Sequence, residues 1–211
     1  MRILKDKLLA CKTLNLITLL LPMHPALKKY LEGKISLSAE QEDLVSNCFQ
    51  PLATRRGQLL LAQGAIAKDI YFVVDGYLRI FVSDEAGNEA TRFLIFEGQM
   101  GTAFPSFILQ QASEAAIQSP EPAELLMLSY HNRQKLHSLI PGWESMDRVA
   151  IEKEYIAAIR RIESLITLDS KDRYKILLEE HPGMIRRLPA KTVADWLGIS
   201  QETLSRLKAR K

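Results

Sequence analysis

The sequence predicts an α+β protein: short helices, then a β sandwich or barrel, then one long helix and a closing helix-turn-helix. Three observations carry that expectation. The hydrophobic period changes from helical to strand-like near Gln50 and back after Ser129. Inside that window Gly57, Gly64, Gly76, Gly87, Gly98 and Gly101 punctuate short apolar runs, as in compact antiparallel sheets. At the end, "VADWLGISQETLSRLKARK" sets two short amphipathic stretches on either side of Gly198.

A chain of 211 residues can bury one large core and carry a small appended module. Its charge is uneven. From Lys171 to Lys211 there are ten Lys/Arg against five Asp/Glu, a net +5, leaving −2 for everything before. A basic terminal module on a near-neutral body points to a polyanionic partner; a solvated basic face is the plainer reading of the same charge. Cys11 and Cys48 are too few for a disulfide framework or a four-thiolate cluster. The opening "MRILKDKLLACKTLNLITLLLP" has a basic start and an apolar run, but that run is too short to span a bilayer and no small-residue cleavage site follows. An amphipathic N-terminal helix on a cytoplasmic protein is expected, with no membrane partner.

The elements follow in order. Residues 1–48 are expected to be helical; in "SLSAEQEDLVSNCF" Ser38 can cap a helix and Gln41 completes a capping box. Residues 49–140 form the β domain. Here "IYFVVDGYLRIFVS" predicts a hairpin about Asp75-Gly76, "FVSDEAGNEATRFLIF" a second about Gly87-Asn88, and "AELLMLS" a closing strand. Residues 141–168 hold the long helix, roughly Trp143 to Leu168, about 39 Å at about 1.5 Å per residue. Val149, Ile156, Ile159, Ile162 and Ile166 recur at steps of three, four or seven and share one face. Such a helix can cover a domain or form a two-stranded seam; its β-branched stripe and its place between two modules favour a homodimer seam.

Residues 169–211 are the helix-turn-helix. Val193 and Leu197 lie one turn apart, Ala194 is small enough for a close helix crossing, and Gly198 permits a positive φ at the turn. Ser200 can cap the second helix, Glu202 sits in its first turn, and Ile199 with Leu204 occupies the positions of a hydrophobic staple. Gln201, Glu202, Ser205 and Arg206 are left outward. Those residue types suit base edges in a major groove: Arg pairs guanine O6 and N7, Glu accepts from cytosine N4, and Gln pairs adenine. Phosphate contacts are expected from Lys191, Thr192, Ser200, Lys208, Arg210 and Lys211. A helical hairpin with a solvated polar face is the competing reading.

The segment "DRYKILLEEHPGMIRRLPAKTVADWLGISQETLSRLKARK" resembles the C-terminal module of the Crp/Fnr superfamily of bacterial transcription regulators. "RRGQLLLAQGAIAKDIYFVVDGYLRIFV" is similar to the opening strands of that family's cyclic-nucleotide-binding-like jelly roll. The resemblance covers nearly everything after Met23, where members of the family commonly begin, so the residues before it are an extension or an extra helix. It implies a homodimer on a pseudo-palindromic DNA operator, RNA polymerase as a protein partner, no enzymatic activity, and base contacts by the residues matching Gln201, Glu202 and Arg206. Glu202, Ser205 and Arg206 together resemble the Fnr-like subset. Family members commonly continue into a β-hairpin wing, whereas this sequence ends at Lys211; Met184 to Leu188 could supply one wing strand.

The family's phosphate cassette reads Gly-Glu followed later by Arg-Ser or Arg-Thr. In "GTAFPSFILQQASEAA" Gly101 is kept, Thr102 replaces the Glu, and Ser113 and Glu114 stand where Arg and Ser are expected. No Lys or Arg lies between Glu97 and Pro120, and a buried phosphate without a cation loses several kcal/mol. Cyclic AMP and cyclic GMP are therefore not expected to bind. Gly101, Thr102, Ser113 and Glu114 mark a possible pocket for an unidentified effector, with Tyr77, Phe81, Phe93, Phe104 and Phe107 as lining or plain core. Arg79 and Arg92 are expected to be strand-surface charges. No cofactor or metal is expected: the four His residues are scattered and no His-x-His pair occurs. A small-ligand effector module whose tail does not bind DNA is the alternative function, and a jelly-roll metalloenzyme lacks its ligands.

Overall fold

The computed structural model describes residues 22–209; the expected N-terminal helix, Cys11, Arg210 and Lys211 lie outside them. Helix α1 (Pro25–Leu31) starts on a proline that fixes its first φ, and His24 Nδ1 accepts from the Ala26 amide at 3.2 Å. Leu27 and Leu31, one turn apart, are buried. Helix α2 (Ala39–Cys48) opens on the expected capping box: Ser38 Oγ accepts from the Gln41 amide, and Gln41 Oε1 accepts from the Ser38 amide.

Eight strands follow: β1 (Phe49–Thr54), β2 (Gln58–Leu61), β3 (Asp69–Asp75), β4 (Leu78–Ser83), β5 (Glu89–Ile95), β6 (Met100–Gly101), β7 (Ala116–Ser119) and β8 (Ala123–Ser129). They pair antiparallel into two four-stranded sheets, ordered β1-β8-β3-β6 and β2-β7-β4-β5. A short helix, α3 (Phe104–Leu109), links β6 to β7. Val73, Leu78, Ile117 and Leu125 are buried in the core of the roll, and Phe72 meets Tyr30 of α1 edge-on.

The hairpin expected about Gly87-Asn88 forms: β4 pairs with β5 from Ser83 opposite Glu89 to Leu78 opposite Ile95. The hairpin expected about Asp75-Gly76 does not, because β3 and β4 belong to different sheets. Asp75-Gly76 is instead the corner at which the chain crosses between them. Gly76 has φ 89°, and a Cβ there would lie 2.5 Å from Ala123 Cβ. The turn dipeptide read correctly as a change of direction, while both flanking strands found better partners. "AELLMLS", expected to close the domain, runs between β1 and β3 in the middle of its sheet.

Beyond the roll come α4 (Tyr130–Leu139), α5 (Trp143–Thr167), α6 (Ser170–Glu180), α7 (Pro182–Arg187), α8 (Ala190–Leu197) and α9 (Gln201–Ala209). The α+β class, the jelly roll, the long helix and the helical C-terminus are those the sequence led us to expect. Helix α5 is pinned at its start by buried Trp143 and by Asp147, which accepts from Arg133 Nε at 2.7 Å and lies 2.9 Å from His137 Nε2. The expected wing strand at Met184–Leu188 is corrected: it is α7 and its cap. Pro182 starts a helical turn, and Met184 and Leu188 then point the same way into a second hydrophobic cluster. Among the described residues no helix is long and apolar enough to cross a membrane.

Candidate nucleic-acid interface and β-roll cavity

The closing module is built around a tight turn. Gly198 has φ 64°; its amide donates to Asp195 O and the Ile199 amide donates to Ala194 O, which closes the end of α8. A Cβ at Gly198 would lie 2.9 Å from Leu165 Cδ2, so α5 packs directly on this turn. Ser200 Oγ accepts from the Thr203 amide at 3.1 Å and caps α9. Val193, Ala194, Leu197 and Leu204 are buried together, with Ile199, Trp196 and Leu207 around them.

That packing leaves Gln201, Glu202, Ser205 and Arg206 exposed along the outer face of α9. Arg206 Nη2 donates to Glu202 Oε1 at 2.9 Å across one helical turn. The pair ties the exposed guanidinium to the preceding turn of its own helix. Of the residues expected at phosphates, Lys191, Ser200 and Lys208 are exposed, whereas Thr192 is buried inside the module. Its β-branched side chain takes part in packing rather than facing outward.

The roll carries a solvent-open pocket of about 250 Å³ between β4–β5 and the segment from α3 to Ala115. Thr102, Ser113 and Glu114 line it, but Gly101 does not; the Ile95 side chain covers that glycine. The cassette hydroxyls are already engaged. Thr102 Oγ1 donates to Asp69 O at 2.7 Å, and buried Ser113 donates to Ala115 O at 2.7 Å while accepting from the Ala115 amide. Glu114 is exposed. Arg92, exposed on β5 as the sequence led us to expect, is the one cation among the lining residues. Of the aromatic candidates Phe93 and Phe104 line the pocket. Phe107 is core, Phe81 lies under the Arg79 guanidinium, and Tyr77 stacks on Phe96 in the second cluster.

Arg79 is not a surface charge. Its side chain is 8 % exposed, with Nε donating to Thr91 Oγ1 at 2.9 Å, Nη1 to Glu89 at 2.6 Å and Nη2 to Asp195 at 3.2 Å. Two more arginines join the roll to the C-terminal module. Arg161 of α5 donates to Arg92 O, Thr91 O and Trp196 O, and its guanidinium lies 4.1 Å from the Trp196 ring centroid; burial pulls its pKa down. Arg187 of α7 pairs with Glu97 and Glu121 of the roll, and those hydrogen bonds, first that of Glu97, raise its pKa despite partial burial. The sequence signal for Arg79 was a lone cation inside the apolar run "YLRIFV"; for the other two there was none.

A jelly roll, a long helix and a helix-turn-helix follow one another in this order. No protein-family model matches the sequence, and no curated protein does. Solved structures do match. The c-di-GMP-responsive global regulator CLP of Xanthomonas campestris superposes with TM-score 0.67 at 18 % identity, over 82 % of this chain and 91 % of that one. FixK2 of Bradyrhizobium japonicum gives 0.65 at 16 %, over 77 % and 83 %. The catabolite activator protein of Thermus thermophilus gives 0.54 at 22 %, over 86 % and 85 %. The fold of this chain is that of the Crp/Fnr regulators.

Proposed function

We propose that the protein is a homodimeric, sequence-specific DNA-binding transcription regulator of the Crp/Fnr type, cytoplasmic and without enzymatic activity. Residues 49–140 are its sensor roll, 141–168 its dimer seam and 169–211 its DNA-reading domain. The observation that carries this reading is the outer face of α9, where Gln201, Glu202, Ser205 and Arg206 stand exposed on a helix whose other side is locked into the module. Val149, Ile156, Ile159, Ile162 and Ile166 support the seam: all five are exposed, between 37 % and 77 %, along one helix. Joining two chains there would set two recognition helices on one duplex about 34 Å apart. The roll has lost the cyclic-nucleotide phosphate cassette, and any effector it takes is of another chemistry. The regulated promoter and RNA polymerase are the partners this reading requires.

The test is selection of duplexes from a random library by the purified protein, followed by titration of the selected duplex against salt. A selected palindrome whose affinity falls steeply with salt is the expected result. Failure to enrich any duplex would sink the reading.

A further inference from the structure

We propose, on the reading that the closing module binds DNA, that Asp195 and Arg79 are positioning residues: their bond seats the helix-turn-helix on strand β5 in the orientation that presents α9 outward. Helix α8 lies between β5 and α9. Its Asp195 reaches Arg79 of the roll and its Trp196 meets Arg161 of α5, while the recognition residues of α9 are exposed. The docked arrangement is therefore one in which the base-reading edge is free and held at a fixed angle to α5.

Two of the three bridging arginines, Arg79 and Arg161, act in opposite senses. Arg79 is buried with two partners inside the roll, Thr91 and Glu89, and keeps both whether or not α8 is docked. Asp195 adds the third, and among the described residues it is the one carboxylate of the C-terminal module that pairs with this cation. Arg161 is different. Its described acceptors are all neutral carbonyls, and its buried Nε has no partner. A buried guanidinium so placed favours undocking, since release of α8 would return it to water. The Trp196 ring over the cation offsets part of that cost. The Arg79–Asp195 pair thus adds to the Arg187 ion pairs and the shared apolar cluster in favour of docking, against the desolvation of Arg161.

Two readouts test this. Trp143 is fully buried, so acrylamide quenching of tryptophan fluorescence reports Trp196. Asp195→Ala should raise the quenching constant about threefold and weaken binding to the library-selected duplex about tenfold, through loss of a partly buried charged pair. Asp195→Glu should restore both, and Asp195→Asn, which keeps the side-chain shape, should show the same direction if the alanine variant folds poorly. Quenching equal to wild type in the Ala and Asn variants overturns the clamp, whatever DNA does. Increased quenching with unchanged affinity also overturns it, because α8 docking would then not position α9. If wild type selects no duplex, the DNA-binding reading fails, while the quenching series still decides whether Asp195 seats α8.

Discussion

Replacing Ile162 by Glu should turn a dimer into a monomer, and the size of the effect follows from the free surface of α5. In the single chain about half of Ile162 is exposed. Full burial of an isoleucine is worth about 1.5–3 kcal/mol, so the exposed half contributes about 1 kcal/mol per chain, or about 2 kcal/mol across a two-fold axis. The glutamates would in addition lose water on entering the seam, at about 1–2 kcal/mol each even with partial rehydration. The sum, about 4–6 kcal/mol, is roughly three to four orders of magnitude in dissociation constant. Sedimentation velocity across a concentration series measures it. Near-UV circular dichroism should stay that of wild type, because Ile162 belongs to neither hydrophobic cluster. A wild type that sediments as a monomer throughout, or a variant that dimerises as tightly as wild type, would refute the reasoning.

Other perturbations separate the remaining roles. Arg206→Ala should relax base preference at one position of the selected duplex by about 1–3 kcal/mol, whereas Lys208→Ala should weaken all duplexes alike and lower the salt slope by about one; competition gel shifts at several salt concentrations check both. Cyclic AMP and cyclic GMP should give no heat in calorimetry at micromolar concentrations, since Thr102 and Ser113 spend their hydroxyls internally; a micromolar isotherm would contradict the lost cassette. Leu204→Ala, at a buried site between α8 and α9, should cost about 2–5 kcal/mol and melt the closing module first, seen as early loss of hydrogen-exchange protection there. Burial pushes the Glu97 carboxyl up, but the Arg187 hydrogen bonds outweigh it and hold the pKa below the ordinary 4.5. Its stabilising contribution is therefore complete above that value and lost as pH falls through the depressed one. Urea unfolding at about pH 7 and about pH 3 should show a smaller acid loss for Glu97→Gln than for wild type.

Local chemistry was legible in the sequence and long-range pairing was not. The capping box at Ser38, the turn at Gly198 and the cap at Ser200 each depend on residues within a few positions, and each formed. The stripe on α5 was visible because helical periodicity is local too. Asp75-Gly76 failed as a hairpin for the opposite reason: a turn signal says that the chain reverses, and only the register of distant strands decides which sheet receives it. Met184 to Leu188 read as strand-forming from residue type, yet Pro182 and the spacing of two buried apolar residues made a helix. Arg79 and Asp195 stand 116 positions apart, and neither neighbourhood announces the other. At the pocket, the residue types at Thr102, Ser113 and Glu114 were readable in the sequence, but Arg92 joining the lining from β5 depends on the fold of the whole roll.

Tyr77 shows why the boundary between roll and helix-turn-helix is one of connectivity rather than energy. By chain order it belongs to the roll, next to the Gly76 corner that Glu97 secures by accepting from the Gly76 amide at 3.0 Å. Yet its ring is buried in the cluster of Tyr174, Leu177, Val193 and Leu204, with Leu94 and Phe96 of the roll packed on the same cluster. Arg187 lies 5.4 Å from the Tyr77 ring centroid and pairs with Glu97, so the apolar contact and the ionic one meet at one place. Cutting the chain after α5 would leave Tyr77, Leu94 and Phe96 facing water together with an unpaired Glu97. The roll is accordingly completed by the module it carries, and anything that displaces the helix-turn-helix exposes apolar surface on both sides at once. That shared burial opposes free swinging of α8 and α9, and it makes the orientation of α9 a property of the whole chain.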